Sequence, residues 1–426
     1  MTDRVGSGRP PKSGGQEMLT ELPEFVDEMV GGEVRDPYPM FAEKRRDEPV
    51  WYGTFLTPEM LPGGLEPRCD WMVFRYDDCS YVLRAARMFS SAVYAETIGL
   101  VFGRTVLEMD EPEHRSHRSL VAQAFREQSL ARWKPEVIAP VCHELIDRFA
   151  GTGRAELVNE LTSHFPVRVI ARILGLPDED FGRFHRWAND LFCVASDPER
   201  GLAASADLRE YFAGIVADRR RHPRDDVVSD LVEAEIDGER LEDEAIYSLL
   251  RILLTGGADT TYRASGSTLF LLLTHPEQLE ALRADRSLVP AAVEEALRVE
   301  PPAVGIFRTA TCDVEVGGTT LPAGASVYVV LASANRDETR WEDPDRFDVF
   351  RPHQQHLTFA QGPHMCLGMH LARMETTVLL DAVLDRLPGI RLDPDGSDPH
   401  LHGIFFRSPT AVPVRFDAST AMVGPR

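Results

Sequence analysis

Apolar and polar positions divide the chain into a mixed opening, a long helical middle and a short β-rich end. Short β-like runs at Pro49–Phe55 and Trp71–Phe74 stand beside helical pieces such as DPYPMFAEKRRDE, residues 36–48. Helical stripes bounded by caps or breakers predict helices at 112–125, 133–149, 162–174, 178–191, 203–221 and 225–234. The longest stripe runs from about Glu242 to Thr274, where His275-Pro276 stops it. A helix of thirty-odd residues is about 45 Å long, enough to be a central beam. Two helices follow at 276–284 and 288–299, then strands and turns from Phe307 to Val330 with Gly317-Gly318 and Pro322-Ala323-Gly324. Regular pattern is lost from Asn335 to Pro363, a length of loop that usually has a functional reason. The last helix, 367–387, carries a stripe of Leu367, Leu371, Met374, Val378 and Leu379, and β-like pieces follow near Phe405 and Val412.

No repeat, linker or composition shift divides residues 21–418, so one mainly α domain with small β-sheets (α+β) is expected between tails at 1–20 and 419–426. Hydrophobic residues at 43% and charged residues at 27% fit a globular chain. A formal net charge of −22 argues against nucleic acid as a partner. Cys69, Cys79, Cys142, Cys193, Cys312 and Cys366 show no CxxC spacing, which suits a reducing, cytoplasmic setting. The opening MTDRVGSGRPPKSGGQEM lacks the apolar core of a signal or anchor, and no stretch is apolar enough to span a membrane.

Four constellations carry candidate chemistry. In FAQGPHMCLG, residues 359–368, a cysteine ends an irregular loop and opens a helix, where backbone N–H groups favour a thiolate. Gly362 and Gly368 would permit a tight turn and the approach of something bulky. A lone cysteine is more often a small buried hydrophobe. His353, His356, His364, Cys366 and His370 lie close together but do not repeat at zinc-finger spacing. In the long helix, Gly256-Gly257-Ala258-Asp259-Thr260-Thr261 places two costly glycines beside a carboxylate and hydroxyls, a proton route or a small-residue helix crossing. Glu295 and Arg298 form an i,i+3 pair, weak by itself. His114 and Arg118 share a helix face that could equally be solvated.

The pattern FxxGxHxCxG resembles the cysteine-ligand loop of the cytochrome P450 family, bacterial type, and the other three pieces follow in that family's order across about Asp110–Gly368. The resemblance implies a triangular single-domain fold holding haem b between a long distal helix and the Cys366 loop. Cys366 would be the axial iron ligand. Phe359 would pack near the sulfur, and His114, Arg118, Arg308 and His364 would meet the haem propionates, with Ala258 and Gly368 also against the cofactor. Asp259 and Thr260 match the family's acid-alcohol pair, which implies a role in proton delivery to oxygen. Glu295, Arg298 and Arg346 match its structural triad. Ala360 stands where many relatives have glycine, and Arg263 is an uncommonly polar neighbour of the Thr-Thr pair with no role implied.

By the same resemblance the substrate pocket is lined by Val93, Tyr94, Ile98, Leu191 and Phe192 from the first half. Leu253, Val304, Ile306, Phe405 and Phe406 complete it, although each could instead be core. Mostly apolar residues suggest an apolar small molecule, with Tyr94 as a polar contact. The implied activity is a monooxygenase that inserts one oxygen atom of O₂ into a C–H bond, with electrons from a separate ferredoxin and ferredoxin reductase, as a monomer. Arg115, Arg118 and Arg373 would form a basic patch for that partner. A peroxide-driven peroxygenase and a haem scaffold performing coupling or recruitment are the alternatives, both disfavoured by an intact Asp259-Thr260 pair.

Overall fold

Asp243–Thr274 forms one helix of 32 residues in the computed structural model, which describes residues 34–56, 68–192, 194, 197–236 and 238–418. The tails expected at 1–20 and 419–426 and the side chain of Phe192 lie outside the described residues. Asp243 and Glu244 occupy the first turn of this long helix, where carboxylates oppose the positive helix end. It stops at His275, whose φ of −125° and ψ of 70° suit the residue before a proline. Most of its circumference is buried, as expected for a helix apolar on nearly every side. Helices Phe165–Ile173, Pro198–Arg221, Val289–Val299 and Met369–Arg386 pack around it and form the main core with it.

A five-stranded sheet lies beside this helical body, in the order Val50–Gly53, Asp70–Val73, Ser326–Val329, Ile306–Ala310 and Phe89–Ser90. Only the pairing of Ser326–Val329 with Asp70–Val73 is parallel. Two smaller apolar clusters cover the sheet, one around Val73, Val327 and Trp341 and one around Phe41, Phe74 and Tyr328. The closing hairpin pairs Leu401–His402 with Ser408–Pro409 and packs on the long helix.

Two expectations change. The helix expected over 133–149 does not keep one α period: between Glu127–Trp133 and Ala139–Ile146 it widens at Lys134–Ile138, where the Ala139 N–H donates to Lys134 O, five residues back. Pro135 and Pro140 lack the N–H groups that an unbroken helix would use. A helix at Tyr76–Arg84 appears where none was read, and it leans on the Asn335–Gly368 segment. No helix among the described residues is long and apolar enough to cross a membrane.

Candidate functional site

The Cys366 loop is built from successive tight turns. Ala360 N–H donates to Leu357 O at 2.7 Å, Met365 N–H to Gly362 O at 3.1 Å, and Cys366 N–H to Phe359 O at 2.8 Å. Ala360 and Gly362 have φ of 56° and 74°. Glycine is required at 362, since a Cβ there would lie 2.4 Å from Leu83 O. Gly368 differs from its expected role in the turn, because its φ of −82° is ordinary and a Cβ would meet nothing within 4 Å. The helix proper begins at Met369.

Cys366 is exposed by accessible area, yet protein encloses it on most sides. That burial pushes its thiol pKa up. The Gly368 N–H and the charges of Arg118 and Arg373 work in the opposite direction, favouring thiolate. Phe359 packs beside the loop with the Arg373 guanidinium 4.4 Å from its ring centre. Arg373 is paired with Glu294, which also faces His356 at 3.3 Å. Of the three arginines expected to form a basic patch, Arg115 is exposed and pairs with Glu111 at 3.2 Å, Arg118 donates to Met365 O, and Arg373 pairs with Glu294.

Four donors converge beside this loop. The His114 and His364 rings lie 4.0 Å apart, with Arg118 and Arg308 near enough to act on His364. Desolvation, Arg308, His114 and Arg118 together push the His364 pKa down to about 3. Desolvation and Arg118 likewise lower that of His114, against the opposing pull of Glu111. Among the described residues neither His114 ring nitrogen has a hydrogen-bond partner, and the Glu111 carboxylate lies 3.6 Å away. Arg308 is buried and donates to Phe307 O at 2.7 Å. The buried Arg308 and half-buried Arg118 guanidiniums bond neutral groups, and with two neutral imidazoles they leave the site short of directly bonded negative charge.

On the long helix, Gly256 is exposed and a Cβ there would meet nothing within 4 Å. Ala258 was expected to face the cofactor, but it is buried in the main core. The two positions are 200° apart at about 100° per residue, so the open face belongs to Gly256. Thr260 Oγ1 donates to Gly256 O at 3.1 Å, the local bond that threonine offers in competition with the backbone ladder. Asp259 is bound through both carboxylate oxygens by Arg263 Nε, at 3.1 and 3.2 Å.

Glu295 and Arg298 meet as expected, through two bonds of 2.8 Å. The third member of the cage is Arg351, not Arg346. Arg351 Nε donates to Glu295 at 3.0 Å, whereas the Arg346 side chain reaches outward to Asp348 and contributes only its main-chain carbonyl inside. The sequence carries no signal that ranks one arginine over the other.

The expected pocket residues divide. Val93, Ile98, Leu253, Ile306, Phe405 and Phe406 are half-buried. Leu191 and Val304 are fully buried in apolar clusters and are core, not lining. The Tyr94 hydroxyl accepts the Phe307 N–H at 2.9 Å and bonds Arg308, so it ties the loop to the sheet and is spoken for as a polar contact.

The sequence model of the family described as Cytochrome P450 matches residues 188–399. Nocardicin C N-oxygenase of Nocardia uniformis subsp. tsuyamanensis is 38% identical over 391 residues, covering 89% of this chain and 95% of that protein. Cytochrome P450 monooxygenase PikC of Streptomyces venezuelae is 36% identical over 389 residues, covering 89% and 91%. Among solved structures, Cytochrome P450 CYP109Q5 from Chondromyces apiculatus aligns with a TM-score of 0.81 at 37% identity, covering 94% of this chain and 98% of that one. CYP109E1 from Bacillus megaterium in complex with testosterone aligns at 0.79 and 30% identity, covering 90% and 99%.

Proposed function

The chain belongs to the cytochrome P450 family and is a P450 monooxygenase, and from that premise we propose that it hydroxylates an apolar small molecule at an unactivated C–H bond. One atom of O₂ enters the substrate and the other leaves as water, with two protons and two electrons supplied. A separate ferredoxin and its reductase provide the electrons. CYP109E1 with testosterone supports a substrate class of steroid-like or similarly apolar compounds.

The family's cofactor is haem, and the residues present fit it. The carrying observation is the set of Arg118, Arg308, His114 and His364, short of anionic partners, beside a cysteine that accepts a backbone N–H. Two propionate carboxylates would supply the missing negative charge. Cys366 would hold the iron, with the Gly368 N–H, Arg118 and Arg373 favouring its thiolate against the burial that raises its pKa. When bound, haem supplies the oxygen chemistry, which a thiolate ligand favours by donating electron density. Asp259 would relay a proton through its carboxylate and Thr260 would pass it on through Oγ1, on the open face marked by Gly256.

Cys366→Ser tests the assignment. The variant is expected to lose the thiolate-type spectrum of the reduced carbon monoxide complex, and retention of that spectrum would reject Cys366 as ligand. Turnover with peroxide but none with O₂, ferredoxin and reductase would replace the monooxygenase reading with a peroxygenase one.

A further inference from the structure

The Arg263 side chain is 3% exposed and that of Asp259 12%. An aspartate four residues before an arginine is a common helix pair that adds little on a wet surface. Burial changes its weight, because removing Arg263 would take a buried cation from the Asp259 carboxylate. Arg263 Nε contacts both oxygens of Asp259, at 3.1 and 3.2 Å. Its Nη1 donates to Ser408 Oγ at 3.1 Å. The guanidinium carbon also lies 4.9 Å from the Tyr262 ring centre and 5.5 Å from that of Phe406. Ser408 and Phe406 belong to the closing hairpin, which meets the same helix where Pro409 faces Gly266.

We propose that Arg263 is a positioning residue that pins the Asp259 carboxylate and anchors it to the closing hairpin. The inference rests on the reading of Asp259 as a proton-relaying group. A carboxylate engaged through both oxygens is restricted in rotation, and the guanidinium that restricts it is itself fixed from a second element. The hairpin carrying Phe405 and Phe406 therefore helps set where the relaying carboxylate stands. Two neighbouring functions, lining the pocket and delivering protons, share one side chain.

Positioned proton transfer contributes about 10²–10⁴-fold to rate, so loss of the pin is expected to cost about tenfold in product formed per electron pair, with a matching rise in released peroxide. The test compares Arg263→Gln, Arg263→Lys and Ser408→Ala with the parent holoenzyme for coupling and for the solvent isotope effect on turnover. Arg263→Gln should lower coupling and change the isotope effect, Arg263→Lys should restore part of both, and Ser408→Ala should give a smaller change of the same sign. A thermal-unfolding cycle of Asp259→Asn, Arg263→Gln and the double variant adds a readout independent of turnover, with the double variant destabilised by less than the sum of the singles. An additive cycle, or parental coupling and isotope effect in Arg263→Gln, overturns the inference. Should Arg263→Gln not fold, the Lys and Ser408 variants decide by the same two readouts. If Asp259→Asn and Thr260→Ala also leave coupling unchanged, the proton-route reading falls with it. If those two lower coupling while Arg263→Gln does not, only the role of Arg263 is rejected.

Discussion

Replacing Arg351 by alanine tests the cage beneath the cysteine loop. Its Nε bonds the Glu295 carboxylate at 3.0 Å, Nη1 bonds Glu342 O at 2.6 Å, and Nη2 bonds Asp343 O and Arg346 O at 3.0 Å each. Glu295, 6% exposed, would keep Arg298 but lose its second cation, and three loop carbonyls would lose donors. Breaking a buried charge network of this kind costs about 3–5 kcal/mol. Arg346→Ala removes a side chain that is 64% exposed and pairs only with Asp348, at a cost of about 0–1 kcal/mol. For a chain of 426 residues the unfolding entropy is about 0.9 kcal/mol/K, so the expected midpoint losses are about 3–6 °C and about 1 °C or less. Differential scanning calorimetry of both variants under one scan rate decides. Equal losses, or a larger loss for Arg346→Ala, would refute the assignment of Arg351 to the cage.

Three further outcomes are expected. Ala360 holds a φ of 56°, a region that costs a non-glycine residue about 1 kcal/mol, so Ala360→Gly should raise the unfolding midpoint by about 1 °C, and a fall would contradict the strain argument. His164 is buried, and desolvation with His185, Arg168 and Arg148 nearby lowers its pKa from 6.5 to about 3. The unfolded chain therefore takes up this proton first as pH falls, and stability present above 6.5 is lost towards 3, by about 2 kcal/mol at pH 5. His164→Gln should shrink the difference in unfolding midpoint between pH 7 and pH 5, and an unchanged difference would reject that origin. Arg308→Gln removes a charged donor from the anion-poor cluster, worth about 1.5–3 kcal/mol against a carboxylate, so haem affinity measured by transfer to a scavenger protein should fall about 10–100-fold. Parental haem retention would remove Arg308 from the cofactor contacts.

What was legible in the sequence is what is local along it. The 32-residue helix, the cysteine turn and the Glu295–Arg298 pair each lie within a short stretch whose spacing fixes its geometry. The misplaced residues needed an orientation that no short stretch contains. Because the long helix is buried on most sides, its apolar pattern does not show which face looks into the site, and it points to Ala258 although Gly256 is the open position. Leu191 and Val304 fail for a related reason, since lining and core residues of a cleft share one composition. Arg346 and Arg351 sit in an irregular segment without a period, and the distinction between them exists only in the folded chain.

The same reasoning explains the helix at Tyr76–Arg84. From Asn335 to Gly368 the chain has no helix or strand among its described residues, so its backbone groups need partners from elsewhere. Asn335 takes the Leu357 N–H at 2.6 Å, Gln278 bridges Phe347 O and the Val349 N–H, and Arg298 bonds Asn335 O and Pro344 O. Tyr76–Arg84 supplies another side of this support. Its Tyr76 N–H donates to Asp337 at 2.9 Å, Tyr76 OH to Gln355 O at 2.9 Å, and Ser80 Oγ to Gln361 at 2.6 Å. Leu83 O closes against Gly362, the one residue in the loop where a side chain has no room. The position of Cys366 thus depends on buried polar bonds from three distant segments, and hydrophobic periodicity, which records apolar burial, carries no trace of them.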